Sequence, residues 1–130
     1  MDLQTPRILC VEDDRDSCEM IKTFLQLSND EYLVTTAEDG ATALDLISKE
    51  PFDLYILDNW LPEMDGMEIC RRIRQSGSTK PIIFFSAMVR AADRESAFEA
   101  GATEYLLKPN DLDIIAETVE RLLTDDSADS

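Results

Sequence analysis

The chain has 130 residues, 44% hydrophobic and 31% charged, with 28 acidic against 12 basic side chains and a formal net charge of -16. This length and balance describe one globular domain with a hydrophobic core of its own. The charge argues against nucleic acid and anionic membranes as direct ligands, because phosphate binding rests on Lys and Arg.

The chain alternates strand-like and helix-like segments five times. Arg7 to Val11 is a short apolar run, read as a first strand. Asp14 to Leu27 carries Met20, Ile21, Phe24 and Leu25 at helical spacing, and Ser28-Asn29-Asp30 breaks it. Tyr32 to Thr36, rich in β-branched residues, reads as the second strand, and Ala41 to Lys49 as the second helix. The third strand is Leu54 to Leu57, and the third helix runs from Gly66 to Gln75, ended by Gly77-Ser78. Pro81 to Phe85 is apolar throughout, as a strand covered on both faces should be. The fourth helix spans Ala91 to Ala100 before Gly101, the fifth strand Thr103 to Leu107, and the fifth helix Asp111 to Leu123. Residues 1–123 form the domain on this reading, and Thr124 to Ser130 an acidic, disordered tail. Five strand–helix units with short connectors imply an α/β fold, a parallel sheet with helices on both faces.

Other features narrow the chemistry. No apolar run approaches membrane-spanning length and the N-terminus has no secretory pattern, so the expected location is the cytoplasm. With no histidine, the chain has no imidazole acid–base chemistry, no histidine metal ligand and no phosphohistidine of its own. Cys10, Cys18 and Cys70, an odd number without a CxxC, read as buried small hydrophobes.

The carboxyl ends of parallel strands are where open α/β sheets bind ligands. Here the first strand ends in Glu12-Asp13-Asp14, the third in Asp58, the fourth in Ser86 and the fifth in Lys108-Pro109. Asp14, with Asp16, suits a helix start. Glu12, Asp13 and Asp58 together repel one another unless a cation is present, and a hard divalent ion with oxygen ligands fits such a cluster. Lys108 offers a point charge for a phosphoryl oxygen and Ser86 a hydroxyl donor. The set suits in-line transfer of a phosphoryl group onto a carboxylate, with Asp58 as the nucleophile.

Four segments in order carry a family resemblance: Ile8 to Asp14, the acceptor strand and its loop through Leu61-Pro62-Glu63-Met64-Asp65-Gly66, Pro81 to Ala87, and Tyr105 to Pro109. From Arg7 to Leu123 the chain resembles a response-regulator receiver domain of two-component and phosphorelay signalling, in the flavodoxin-like fold of the chemotaxis regulators. The resemblance implies a three-layer (βα)5 architecture with strand order 2-1-3-4-5. It implies Asp58 as the phosphoacceptor, with Mg²⁺ (or Mn²⁺) held by Asp13, Asp58 and the Trp60 backbone carbonyl, and by Glu12 through a metal-bound water. It makes Ser86 and Tyr105 the switch pair, whose movement alters the face of helix 4, strand 5 and helix 5. The implied partners are a histidine kinase or phosphotransfer protein as donor, and a downstream target or output domain. Such a chain is a switch rather than an enzyme, catalysing only its own phosphorylation and dephosphorylation.

Asn59 and Trp60 stand where the family usually has a small or aliphatic residue after the acceptor, Met88 where many relatives are polar, and Asn110 where Phe is usual. Trp60 and Met88 are expected to flank the path of an attacking water and to lengthen the life of the phosphate. Helix 5 lacks the basic end common in receivers of the winged-helix transcription class. An aspartate-nucleophile phosphatase is the alternative, but it needs a second aspartate two residues after Asp58, where this chain has Trp60. A nucleotide or flavin domain ranks lowest, because the only glycines, Gly40, Gly66, Gly77 and Gly101, form neither GxGxxG nor a P-loop.

Overall fold

The computed structural model describes residues 5–128. Five strands and five helices alternate: β1 Arg7–Val11, α1 Arg15–Ser28, β2 Leu33–Ala37, α2 Gly40–Lys49, β3 Leu54–Leu57, α3 Gly66–Gln75, β4 Ile82–Ser86, α4 Ala91–Ala100, β5 Glu104–Leu107 and α5 Leu112–Ala128. The strands form one parallel sheet in the order β2-β1-β3-β4-β5. This is the flavodoxin-like arrangement expected from the sequence.

Strand alternation divides the core into two layers. Leu9, Val11, Tyr55, Leu57, Ile82 and Phe84 face a cluster with Ile69, Cys70 and Ile73 of α3 and Ala97 of α4. Ile8, Cys10, Leu54, Ile56, Ile83 and Phe85 face the other way, against Ile21 and Leu25 of α1 and Ile115 and Val119 of α5. Burying each such large side chain contributes about 1.5–3 kcal/mol, so the central strands anchor the molecule and fix where their ends emerge. All three cysteines are buried free thiols.

The boundaries differ from expectation in small ways with identifiable causes. β2 begins one residue later, where Leu33 pairs with Arg7, and Tyr32 is left buried beneath it. β4 begins after Pro81, which has no N–H to give the ladder, and β5 starts at Glu104, opposite Ile83. Asp14 caps α1 from outside, accepting the Asp16 N–H at 3.1 Å. α5 runs to Ala128, five residues past the Leu123 end read from the apolar stripe. No Gly or Pro follows Leu123 to stop it. The last two residues of the expected tail, 129–130, lie outside the described residues.

Candidate functional site

The sheet holds the chemical groups by backbone bonds one residue beyond its strands. Glu12 follows β1 and its N–H donates to Ala37 O at 3.0 Å; Asp58 follows β3 and donates to Val11 O at 3.1 Å; Lys108 follows β5 and donates to Ser86 O at 2.8 Å. Backbones pinned this way fix the points from which these side chains project, which suits a preorganised site.

Their side chains meet. Carboxylate oxygens of Glu12, Asp13 and Asp58 lie within 4.8 Å of one another. Lys108 Nζ ion-pairs with Glu12 Oε1 and donates to Asp58 Oδ2 at 3.2 Å. Its ammonium also lies 5.9 Å from the centre of the Phe85 ring. Glu12 and Asp58 are buried, whereas Asp13 is exposed at the rim. One ammonium among three carboxylates leaves an uncompensated negative charge.

That imbalance shows in the titration of the buried groups. Burial pushes the Glu12 carboxyl up to about 7, and the Asp58 charge adds to this against the opposing pull of Lys108. Burial works to lower the Lys108 pKa, but its hydrogen bond to Glu12 and the Asp58 charge outweigh that, so it is raised. Lys108 therefore stays an ammonium in this site. All three acids offer hard oxygen donors and they cluster at a strand-end crevice, so the donor set fits a Mg²⁺-like cation.

The other expected site residues form a second group beside the first. Ser86, fully buried, accepts the Met88 N–H at 3.1 Å, which leaves its own hydroxyl proton as a donor. The Tyr105 ring lies inside the core, near-parallel to Phe84 with centroids 6.1 Å apart. Its hydroxyl donates to Met88 O at 2.8 Å and accepts from Asn59 Nδ2 at 3.0 Å. Trp60 is 67% exposed. It lines an open groove of about 360 Å³ with Asn59, Met88, Met67, Arg71 and Asp93. Trp60 and Met88 thus line one groove together with Asn59, the residue after Asp58.

Two residues here escaped the reading of functional positions. Asn59 stood out only as a departure from the family pattern; nothing in a linear pattern pairs it with Tyr105, 46 positions on. Gly66 read as a turn signal, but a Cβ there would lie 2.2 Å from the Asp58 carbonyl oxygen and 3.1 Å from the Phe84 ring. Its backbone N–H donates to Asn59 O at 3.3 Å. The Asp65-Gly66 pair before a helix was the visible signal for that close approach. The Lys108-Pro109 peptide bond is cis.

Comparison with known proteins agrees with this architecture. The family model of the response regulator receiver domain matches residues 8–120. The response regulator ArlR of Staphylococcus epidermidis is 38% identical over 116 residues, covering 89% of this chain and 52% of its own. The chain thus spans about half the length of the curated relatives it matches. Among solved structures, the receiver domain of the Francisella response regulator 1452 aligns with a TM-score of 0.85 at 28% identity, over 92% of this chain and 98% of its own. The receiver domain described as BeF3-activated DrrB aligns with the same TM-score at 29% identity, over 93% and 99%. On its fold, the order of its strand-end residues and these matches, the chain belongs to the response regulator receiver domain family.

Proposed function

We propose that this chain is a phosphorylation-driven switch that takes a phosphoryl group onto Asp58. A histidine kinase or histidine phosphotransfer protein is the donor: the P–N bond of its phosphohistidine breaks, and an Asp58 Oδ–P bond forms. Asp13, Asp58 and the Trp60 backbone carbonyl would hold Mg²⁺ or Mn²⁺, with Glu12 supporting it through water, and the ion would supply positive charge against the phosphoryl oxygens. Lys108 is the fixed positive charge on the phosphoryl group, and Ser86 supplies a hydroxyl proton to one of its oxygens. Movement of the Ser86–Tyr105 pair then changes the face of α4, β5 and α5, to which a downstream protein or output domain responds. The chain is a signalling switch, whose chemistry is limited to its own acceptor residue.

The observation that supports this most strongly is Lys108 bridging Glu12 and Asp58 at the carboxyl edge of the sheet, with Asp13 completing the acidic cluster. The BeF3-activated DrrB receiver domain fits the same chemistry, since beryllofluoride stands in for a phosphoryl group on a carboxylate. No described helix is long and apolar enough to cross a membrane, which is compatible with a cytoplasmic place beside a kinase.

The sole tryptophan tests the proposal. Trp60, two residues from Asp58, should change its fluorescence when Mg²⁺ and acetyl phosphate or beryllofluoride are added. Asp58→Asn should abolish the change. A response that survives Asp58→Asn, or that needs no divalent ion, counts against the assignment.

A further inference from the structure

Asn59 directly follows the proposed acceptor and is 5% exposed. Its side-chain Nδ2 uses both hydrogens. One goes to Tyr105 Oη at 3.0 Å, the other to Met88 Sδ at 3.2 Å. The Tyr105 hydroxyl passes its own proton to Met88 O, and the Met88 N–H bonds Ser86 Oγ. One amide thus joins the loop after β3, the loop after β4 and the aromatic ring on β5. The backbone of Asn59 is held as well, because its carbonyl accepts from Gly66 N–H.

The other half of the amide is unsatisfied: among the described residues, buried Asn59 Oδ1 has no hydrogen-bond partner. Native structures seldom carry such an atom, and it lowers stability relative to an apolar side chain of similar size. The position is therefore polar at a cost, and the NH2 group facing Tyr105 is the only part of the side chain that gains from it. If the ring swung outward, Nδ2 would lose its oxygen acceptor inside the core and keep only a thioether, a weak one.

We propose that Asn59 is a positioning residue of the switch, whose side-chain amide holds the Tyr105 hydroxyl against the Met88 carbonyl and so sets the population of the inward ring. This rests on the switch reading of Ser86 and Tyr105 above and adds a contact between the acceptor loop and the aromatic residue that bypasses Ser86. The ring position then depends on two inputs: the hydroxyl at the end of β4 and the amide beside the acceptor.

The test uses the full chain labelled with 3-fluorotyrosine, whose three tyrosines give three ¹⁹F resonances. Tyr105→Phe assigns the one that matters. In Asn59→Leu, measured without any phosphoryl analogue, the Tyr105 resonance should shift or broaden, with the outward ring favoured about fivefold more than in the parent, the size of one neutral hydrogen bond. The melting temperature should hold or rise, since the orphan oxygen is gone; a side chain that merely packs would lower it. Beryllofluoride half-saturation should move in Asn59→Leu but not when the same change is made in Tyr105→Phe, because the amide then has no hydroxyl to hold. If Asn59→Leu does not fold, Asn59→Ala is read by its ¹⁹F spectrum and by the same cycle. An unchanged Tyr105 resonance, or an equal effect of the substitution in both backgrounds, overturns the proposal. Failure of beryllofluoride to alter the parent spectrum would overturn the phosphoacceptor reading instead, and the amide's hold on the ring is still decided by the spectra taken without it.

Discussion

On the proposed function, single residues are expected to set how long a phosphoryl group persists on Asp58. Water must reach the phosphorus for hydrolysis, and we propose that it comes by way of the groove beside Asn59, whose lining includes Trp60 and Met88. Both are largely apolar: the indole N–H of Trp60 can only donate, the Met88 thioether is a weak acceptor, and neither can take a proton from the attacking water. Replacing them together, Trp60→Asn with Met88→Glu, should shorten the half-life of the aspartyl phosphate about fivefold, equivalent to about 1 kcal/mol in the barrier. Loss of ³²P label from the purified phosphoprotein measures this directly. A half-life equal to the parent's would mean that the groove is not the route of the water. The same scale shows where linear reading succeeds. That Glu12, Asp58, Ser86 and Lys108 come to one edge was legible, because each sits at the end of an apolar run and parallel topology brings such ends together. The contacts of Asn59 were not, because its partners lie on β5 and in the loop after β4, far along the chain.

At the scale of elements, the start of α3 packs against the backbone of Asp58. Asp65 caps the helix by accepting the Glu68 N–H at 3.0 Å, and Gly66 packs its bare Cα against the Asp58 carbonyl. The preceding loop is already tight, with Glu63 in the left-handed region at φ 67°. A methyl group at position 66 would meet backbone rather than a flexible side chain, so the loop has no cheap way to yield. Gly66→Ala should cost about 2 kcal/mol in urea unfolding, within the usual range for overpacking, and should weaken the beryllofluoride response by displacing Asp58. Retention of both parental stability and parental response would contradict this account of the glycine. Element types and their order could be read from the sequence because apolar periodicity and Gly/Pro breakers agree along this chain. Their ends could not always be read: α5 continues to Ala128 because its apolar stripe stops before its helix does, and β2 is placed by pairing with β1 rather than by its own composition.

For the whole molecule, the unbalanced acidity of the site adds to that of the chain. The net charge of -16 makes the compact state repel itself, and the buried Glu12 adds a specific contribution. Its folded pKa of about 7 lies above the ordinary value of 4.5. The folded protein therefore takes up a proton between those values that the unfolded chain does not, and stability rises as pH falls through 7. Lys108 contributes nothing to this window, because its pKa is raised and it remains charged throughout. Without divalent ions, lowering the pH from 8 to 6 should stabilise the fold by about 1 kcal/mol through Glu12, or about 4 °C in melting temperature for a domain of this size. Self-repulsion relieved elsewhere acts in the same direction, so the contribution of Glu12 is the part that disappears in Glu12→Gln. Mg²⁺ should oppose the trend, since a cation held by these carboxylates favours their ionised forms and binds more tightly as pH rises. Calorimetric melts of parent and Glu12→Gln, each with chelator and with Mg²⁺, separate the contributions. A melting temperature that responds to pH identically in all four series would show that the charge of Glu12 is not coupled to the fold.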